Sequence, residues 1–518
     1  MGTLLHLGEV LRTHARVKPE AIGARDLVRA MTFREWNARA CRLANALLGL
    51  GLGKGDRIAV LAYNCLEWLE IYAATAKAGL VAVPVNFRLV GSEIRYIVGH
   101  CGARALLVQD DLLGPCEEIR GEVPVEPDKF IHFGGRTPAG YRGYEDLIAR
   151  AQDGEPAVDV GPADPWMFMY TSGTTGRPKG AIRNHGAGAL LSLVTAIELG
   201  FGSRDSALLA MPMCHANSLY FASTLIACGG AVSVYSRRSF DPEHFLRTIC
   251  AGGETFTSLV PTHYVMLLDL PEAVRQSCDT GRVTKLMISS APARRDTKQA
   301  VMQFFRNSGL FELYGSTEAG WVTMLHPHEQ FDKLGSVGRE CVGSGPILLL
   351  DEHGAPVADG EVGELYSRTP YVFDGYWDMP EKTAEAFRGP YCTVGDMARR
   401  DPDGYYVLVD RKSNMIISGG ENIYPSEVEE VLGGHPAVRE AAVIGAPDPK
   451  WGERVHGVVV LHEGVRTGEA EILAWCQDRI AGYKRPRSIS VIADHEMPRT
   501  ATGKIQHRIL KNRFGNLG

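Results

Sequence analysis

Residues Tyr170–Ala181 read Y-T-S-G-T-T-G-R-P-K-G-A, a run of hydroxyl side chains and glycines that closes on one lysine. Glycine adopts backbone conformations that a Cβ forbids, and such a backbone can turn several N–H groups towards one anion. The hydroxyls add further hydrogen-bond donors, and Lys179 adds a positive charge. The segment therefore predicts a polyphosphate-binding loop made of Thr171, Ser172, Gly173, Thr174, Thr175, Gly176 and Lys179.

Two other interpretations of this loop fit the sequence less well. A Walker-type loop needs glycine directly before its lysine, whereas Pro178 precedes Lys179 here. A flexible Gly/Ser linker shares part of the composition, but it does not need an ordered Arg-Pro-Lys ending. We therefore interpret the loop as a phosphate site of a different class.

The composition is that of an ordinary globular protein, with 45% hydrophobic and 22% charged residues. The net charge of −6 and the absence of a basic block argue against nucleic-acid binding. No apolar run approaches the roughly 20 residues of a membrane span, and neither end of the chain carries a recognisable address signal. The 11 cysteines form no C-x-x-C pair, which is typical of reduced thiols. We expect a cytoplasmic protein.

At 518 residues the chain is too long for one core. In the first 150 residues helix and strand patterns alternate, with a capping box predicted at Thr32 and Glu35. A strand at 57–62, a helix at 65–78 and a strand at 80–85 predict a βαβ unit, hence doubly wound α/β subdomains. Short strands between about 335 and 410 predict a small distorted β-barrel. We place the domains at 1–410 and 411–518, the second being a mobile α+β domain.

Three further segments carry side chains suited to nucleotide chemistry. Phe311–Glu318 reads F-E-L-Y-G-S-T-E, in which Gly315 permits close backbone approach and Glu318 can hold Mg²⁺. Asp396 lies in T-V-G-D-M, at the end of a predicted strand, where a carboxylate can accept bonds from two hydroxyls. His215 follows M-P-M-C. Taken singly, Phe311–Glu318 is equally consistent with a strand-to-turn junction, whereas Asp396 alone favours an ordinary turn and His215 alone a packed or capping side chain.

Together these motifs resemble the adenylate-forming enzymes, in the branch of AMP-forming acyl-CoA and aryl-CoA synthetases. The resemblance covers most of the chain. It implies that the loop closes over the β- and γ-phosphates of ATP. It also implies that Tyr314 stacks on adenine, Thr317 contacts the α-phosphate and Glu318 binds Mg²⁺. The other nucleotide-binding residues that it implies are Ser290, Ala291, Pro292, Glu312, Gly315, Ser316, Asp396 and Arg411.

The resemblance also implies a catalytic lysine and a hinge in the C-terminal region. Lys504, in P-R-T-A-T-G-K-I, resembles the lysine that neutralises the carboxylate and the α-phosphate as they approach each other. The hinge falls at Ser413, where the family usually has Lys or Asp, and Asn414 replaces a usual Asp. Ser413 can still absorb a backbone rotation. The two substitutions call into question any ion pair that holds one orientation.

Two segments favour coenzyme A as the acyl acceptor. Gly419, Gly420 and Glu421 match the ligase-type version of the junction, whose glycines let a pantetheine pass close to the backbone. Tyr483 and Lys484 resemble a matching segment whose cations meet nucleotide phosphates, although a solvated surface turn would look the same. A stand-alone adenylation enzyme that serves a carrier protein, and an inactive nucleotide-binding relative, are the alternatives.

By the same resemblance, the acyl pocket is formed by neutral, partly apolar residues: His215, Ala216, Asn217, Ser289, Gly315 and Trp321. These side chains predict an uncharged acyl tail, from a fatty or aryl acid of moderate size. Trp321 could wall off the chain, stack on a ring or simply pack in the core. We therefore predict an ATP-, Mg²⁺- and CoA-dependent acid–thiol ligase, catalysed by Lys504, Thr317, Glu318 and His215. Its partners are small molecules, and a homodimer is left open.

Overall fold

The chain folds into two units, and neither unit is one continuous stretch of the sequence. In the computed structural model, one unit comprises Met1–Pro346 with Ser367–Cys392, and the other comprises Ile347–Tyr366 with Thr393–Gly518. The structure describes residues 5–171, 177–289, 293–418, 421–477, 479–500 and 503–514. The second unit therefore takes in strands that precede the boundary predicted at residue 410, and that domain boundary stays a prediction.

The first half of the larger unit contains a mainly parallel sheet between helices. Its elements are α1 Leu7–Val17, β1 Ile22–Arg25, β2 Ala30–Thr32, α2 Phe33–Gly49, β3 Arg57–Leu61, α3 Glu67–Ala78, β4 Val81–Val85, α4 Gly91–His100, β5 Ala105–Gln109, α5 Leu113–Ile119, β6 Phe130–Phe133, β7 Arg142–Gly143, α6 Tyr144–Arg150, β8 Pro165–Thr171 and β9 Lys179–Asn184. The sheet order is β9-β8-β4-β3-β5-β6-β7, extended beyond β9 by a short strand at Gly375–Tyr376. Only β9 and that short strand join antiparallel.

The second half of this unit contains another sheet of the same kind. Its elements are α7 His185–Leu199, β10 Ser206–Leu209, α8 Ala216–Cys228, β11 Ala231–Val234, α9 Pro242–Gly252, β12 Phe256–Leu259, α10 Pro261–Leu268, α11 Glu272–Gln276, β13 Lys285–Ser289, α12 Arg295–Phe304, β14 Gly309–Ser316, β15 Gly320–Leu325 and β16 Arg339–Glu340. The strand order is β16-β15-β14-β13-β12-β10-β11-β1-β2. Strands β10 to β14 are parallel, and β15 turns back antiparallel to β14.

Shorter elements follow. They are β17 Gly345–Leu350, β18 Gly363–Arg368, β19 Gly375–Tyr376, α13 Pro380–Ala386, β20 Phe387–Arg388, β21 Tyr391–Cys392, β22 Asp396–Arg400, β23 Tyr406–Arg411, β24 Ile416–Ser418, β25 Glu421–Ile423, α14 Pro425–Gly433, β26 Val438–Asp448, β27 Gly452–Leu461, α15 Glu469–Trp475, β28 Ser488–Val491 and α16 His507–Phe514. Single 3-10 turns lie at Asp110–Leu112, Pro127–Lys129, Pro327–Glu329, Gly482–Lys484 and Asp494–Glu496. In the smaller unit, β24 to β28 form one sheet with the order β25-β24-β27-β26 and β28 beside β27.

Local sequence signals explain how these elements begin. The predicted capping box at the start of α2 is present: the Thr32 hydroxyl accepts the Glu35 N–H at 3.2 Å, and the Glu35 carboxylate accepts the Thr32 N–H at 2.8 Å. Strands β3 and β4 pair in parallel around α3, as the βαβ pattern predicts. The predicted α/β fold is confirmed. Among the helices that the structure describes, none combines the length and the apolar character that crossing a bilayer requires.

Candidate active site

The hairpin of β8 and β9 carries the predicted phosphate loop. Thr171 ends β8 and pairs with Lys179, which begins β9. The Lys179 ammonium lies 4.0 Å from the centre of the Tyr376 ring, a cation–π contact within one unit. Ser172, Gly173, Thr174, Thr175 and Gly176 lie outside the described residues. The structure therefore places both ends of the loop but not the loop itself.

A second hairpin, between β14 and β15, carries Tyr314–Glu318. The strand ends at Ser316, whose hydroxyl accepts the Ala319 N–H at 2.9 Å and tightens the turn. A Cβ on Gly315 would lie 2.3 Å from the carbonyl oxygen of Gly320, so no other residue fits between the two strands without a shift. This glycine thus sets the close spacing of the hairpin that presents Thr317 and Glu318.

The two hairpins meet at the carboxylate of Glu318. Its Oε1 accepts hydrogen bonds from the Tyr376 hydroxyl at 2.8 Å and from the Thr171 hydroxyl at 3.3 Å. The residue is 6% exposed. Oxygen donors of this kind are the ligands that Mg²⁺ prefers, so the residues present fit a magnesium site next to the phosphate loop. Tyr376 was not predicted from the sequence, because it belongs to no recognised motif.

Arg183, on β9, is a second residue that the sequence did not point to. Its guanidinium Nη1 donates to the backbone carbonyl of Glu318 at 3.0 Å and to that of Thr317 at 3.3 Å. The side chain is completely buried, and its Nε and Nη2 have no hydrogen-bond partner among the described residues. The sequence contained one weak indication of its position. Arg183 is four residues after Lys179, so the two side chains share one face of the strand.

The predicted acyl pocket lies around the start of α8. His215 precedes the helix as its N-cap residue, and the Asn217 amide donates to the Ser289 hydroxyl at 2.8 Å. Burial, and then the charge of Arg88, lower the pKa of His215 to about 4, so its ring is neutral at physiological pH. Within the described part of the chain, His215 Nε2 and Asn217 Oδ1 are buried without a hydrogen-bond partner.

Trp321 and Glu312 are more deeply buried than we expect of residues that contact a ligand. Trp321 is 5% exposed, packs against aromatic side chains of α8 and donates its indole N–H to the Thr195 hydroxyl at 2.8 Å. Glu312 forms a buried ion pair with Lys298 of α12. Burial raises the pKa of Glu312, and Lys298 opposes that shift. Both residues therefore support the walls of the site. Ser290, Ala291 and Pro292 lie outside the described residues.

In the smaller unit, three predicted residues lie near one another. Asp396 pairs with Arg411 across β22 and β23, and its Oδ1 accepts the Arg411 Nε–H at 3.0 Å. The aspartate begins β22, so the prediction that it ends a strand was wrong; the glycine before it, with φ of 78°, breaks the strand pattern. Burial and the charge of Arg411 lower the pKa of Lys504, while Asp396 and Asp410 raise it. Because much of the Lys504 surface is exposed, solvent screening weakens this lowering of its pKa.

The predicted hinge is a turn held by the carboxylate of Asp410. One oxygen accepts the Asn414 side-chain amide at 3.1 Å, and the other accepts the Ser426 backbone N–H at 3.0 Å. Ser413 lies between Asp410 and Asn414, in the turn that links β23 to β24. An ionised aspartate at position 414 could not donate this bond, so the departure from the family pattern has a structural role here.

The segments expected to meet CoA form a basic and aromatic surface on the smaller unit. Lys484 pairs with Glu427 at 2.5 Å, and Tyr483 is 45% exposed. Arg487 lies 5.6 Å from the ring of Trp451, an aromatic residue that the sequence did not point to. Glu421 begins β25, whereas Gly419 and Gly420 lie outside the described residues.

Comparison with known proteins agrees with this geometry. The model of the AMP-binding enzyme family matches residues 11–377, and the model of the AMP-binding enzyme C-terminal domain matches residues 427–504. The chain belongs to the AMP-binding enzyme family. Together with the CoA-ligase relatives described next, these matches confirm the predicted resemblance to adenylate-forming enzymes in the CoA-synthetase branch. The roles of individual site residues stay predictions.

Members of this family that the chain resembles act on different acids. A feruloyl-CoA synthase from Amycolatopsis sp is 37% identical over 97% of this chain and 97% of that protein. The long-chain-fatty-acid–CoA ligase FadD13 from Mycobacterium tuberculosis is 32% identical over 98% of each chain. The crystal structure of ATP-bound MatB from Rhodopseudomonas palustris superposes with a TM-score of 0.88, at 29% identity over 99% of each chain.

Proposed function

We propose that this AMP-binding enzyme activates a carboxylic acid with ATP and then transfers the acyl group to coenzyme A. A carboxylate oxygen attacks the α-phosphorus, pyrophosphate leaves and acyl-AMP forms. The sulfur of CoA then attacks the acyl carbon, the thiol proton is lost and AMP leaves. The observation that carries the proposal is Glu318, whose carboxylate is held by Thr171 of the phosphate-loop hairpin and by Tyr376.

The larger unit supplies the phosphate side of this reaction. We assign the binding of the departing pyrophosphate to the loop whose ends are Thr171 and Lys179. The hydroxyls of Thr171 and Tyr376 both donate to Oε1 of Glu318, so Oε2 is the oxygen that would hold Mg²⁺. Bound Mg²⁺ would neutralise phosphate charge and polarise the α-phosphorus. Thr317 and Tyr314 complete this side by contacting the α-phosphate and adenine.

The smaller unit supplies the ribose contact and the catalytic cation. Its Asp396 accepts hydrogen bonds from the ribose hydroxyls, and the ion pair with Arg411 fixes the orientation of that carboxylate. Lys504 lies near enough to Asp396, Asp410 and Arg411 for their charges to act on its pKa. We assign it the neutralisation of the carboxylate and the α-phosphate during attack.

The same unit offers a surface for the acceptor. Trp451 is 37% exposed and has both Lys450 and Arg487 over its ring, an arrangement suited to an adenine ring flanked by phosphates. Tyr483, which is 45% exposed, and Lys484 offer a second aromatic and basic group on this unit. CoA, with its nucleotide end, matches this chemistry better than a carrier protein, which presents only the pantetheine arm.

The acyl pocket favours an uncharged acyl group. His215 is neutral because its pKa is lowered to about 4, and the buried Trp321 supports an apolar wall behind it. Among the relatives, one acts on feruloyl groups and another on long-chain fatty acids. We therefore propose a fatty or aryl acid of moderate size as substrate, without a second carboxylate.

A panel of acids incubated with ATP, Mg²⁺ and free CoA tests this function. We expect pyrophosphate release with at least one fatty or aryl acid, together with AMP and an acyl-CoA thioester. Pyrophosphate release without thioester, followed by acylation of an added carrier protein, would support the carrier-dependent alternative. No pyrophosphate release with any acid of the panel would contradict the proposal and support a nucleotide-binding relative without catalysis.

A further inference from the structure

The guanidinium of Arg183 brings a positive charge into the interior beneath the site. Arginine remains protonated in proteins, and this side chain is completely buried. In the described part of the chain no carboxylate lies within ion-pair distance of it. The nearby Asp374 carboxylate instead accepts the Asn184 amide at 2.7 Å, although the charge of Arg183 still acts on its pKa. The charge of Arg183 is thus not neutralised by a neighbouring acid.

Such a group is expensive for stability, even though its guanidinium lies 5.6 Å from the centre of the Tyr220 ring, at cation–π distance. A buried charge without an acid partner costs more than an apolar side chain of the same size. The carbonyl oxygen of Glu318 does not depend on Arg183 either, because it also accepts the Phe373 N–H at 2.8 Å. An apolar residue at position 183 would therefore be the more stable choice. The arginine calls for a functional explanation.

The hydrogen bonds of Arg183 indicate what that function is. Nη1 of Arg183 binds the two consecutive carbonyl oxygens of Thr317 and Glu318, the residues assigned to the α-phosphate and to Mg²⁺. On the same strand face, Ala181 packs against Phe373 and Tyr376 in one buried cluster. Lys179 lies over the ring of Tyr376, whose hydroxyl holds Glu318. Strand β9 thus supports the Thr317–Glu318 turn in two ways: directly through Arg183, and indirectly through Lys179, which contacts Tyr376.

We propose that Arg183 is a positioning residue for the Mg²⁺–ATP site. It fixes the main chain of the Thr317–Glu318 turn, and its buried positive charge lies against the backbone of that turn. Both effects favour an anion held at Glu318 through Mg²⁺. This inference rests on the proposed function, since it presumes that the site binds ATP.

Calorimetric titration with ATP and Mg²⁺, in the absence of acid and CoA, measures this effect without catalysis. We expect Arg183→Met to weaken MgATP binding about tenfold, the loss of one charge-assisted contact. Because the variant removes a buried unpaired charge, its Tm should stay within about 3 °C of wild type or rise. Arg183→Lys keeps the charge but loses the planar guanidinium, and it should weaken MgATP binding by about threefold.

A matched control separates positioning from general stability. Arg39 forms an ion pair with the buried Glu70, far from any site residue in the sequence. Arg39→Met should lower the Tm and leave the MgATP affinity of the folded protein unchanged. In a Glu318→Gln background, Arg183→Met should add less than about twofold, because the two residues act on the same ligand.

The outcomes are distinct. MgATP affinity within about twofold of wild type in Arg183→Met would overturn the inference while leaving the proposed function intact. If that variant does not fold, wild-type MgATP affinity in Arg183→Lys would overturn it equally. Equal losses from Arg183→Met in the wild-type and Glu318→Gln backgrounds would also count against it. Absence of MgATP binding in the wild-type protein would overturn both this inference and the proposed function.

Discussion

Glu318 shows how the chemistry of this site depends on contacts between distant parts of the chain. Its carboxylate meets the hydroxyl of Thr171, which is 147 residues earlier, and that of Tyr376, which is 58 residues later. Thr171 ends β8, Tyr376 belongs to β19, and Glu318 lies in the turn between β14 and β15. A carboxylate held in this way is preorganised for a metal ion, so little of the binding energy is lost in ordering it.

At the same scale, Lys504 gives a prediction about pH. Burial and Arg411 lower the pKa of this lysine, and its role requires the charged form. The adenylation rate should therefore fall as the pH rises through that lowered pKa, earlier than for an ordinary lysine. Lys504→Arg keeps its charge at every accessible pH. Pyrophosphate release measured between pH 7 and 10 should lose its alkaline decline in this variant.

Lys504→Ala serves as the companion variant. We expect it to reduce acyl-AMP formation by about a hundredfold or more, the typical loss of one electrostatic catalytic group. Thioester formation from supplied acyl-AMP should be nearly unchanged. An equal loss in both half-reactions would contradict the assignment, as would an alkaline decline that persists in Lys504→Arg.

The residues that the sequence revealed are those that stand in contiguous motifs. Lys179, Glu318 and Asp396 lie next to glycines and hydroxyls whose combination points to phosphate and ribose chemistry. Tyr376 and Arg183 have no such neighbours. Their roles arise from which face of a strand meets which hairpin, and a sequence without aligned relatives does not contain that information.

At the scale of elements, local physics made much of the structure predictable. The capping box at Thr32 and Glu35 formed as expected, because both of its hydrogen bonds are local. The strand predicted at 57–62 is observed at Arg57–Leu61, and the helix predicted at 65–78 is observed at Glu67–Ala78. Helix and strand ends shifted by one or two residues, since the last turns depend on tertiary contacts.

The hinge turn gives a prediction at this scale. Asp410 accepts bonds from Asn414 and from the Ser426 N–H, so it ties together the chain on both sides of Ser413. Proline at position 413 would fix φ near −65° and remove one N–H, which restricts rotation about the turn. We expect Ser413→Pro to slow thioester formation by about tenfold or more and to leave acyl-AMP formation largely intact.

Ser413→Ala is the matched control, because it removes the hydroxyl without restricting the backbone. Single-turnover measurements of each half-reaction, with acid and ATP or with acyl-AMP and CoA, separate the two steps. Wild-type thioester formation in Ser413→Pro would show that rotation about residue 413 is not needed. A similar defect in Ser413→Ala would assign the effect to the hydroxyl instead.

At the scale of the whole molecule, each of the two structural units is built from two separate segments of the sequence. Residues 347–366 and 393–410 group with the C-terminal residues, whereas Ser367–Cys392 groups with the larger unit. Sequence patterns identified the change from α/β alternation to short strands near residue 335. They could not assign each short strand to a unit, because two-residue strands such as Tyr391–Cys392 carry no periodicity.

At this scale we propose that the protein activates its acid as an acyl-adenylate. The most direct test uses an accepted acid whose carboxylate is labelled with ¹⁸O, together with ATP, Mg²⁺ and CoA. Because a carboxylate oxygen attacks the α-phosphorus and stays there, one labelled oxygen should appear in AMP for each acyl-CoA formed, with none in pyrophosphate. Formation of ADP with the label in inorganic phosphate, or AMP free of label, would contradict the account.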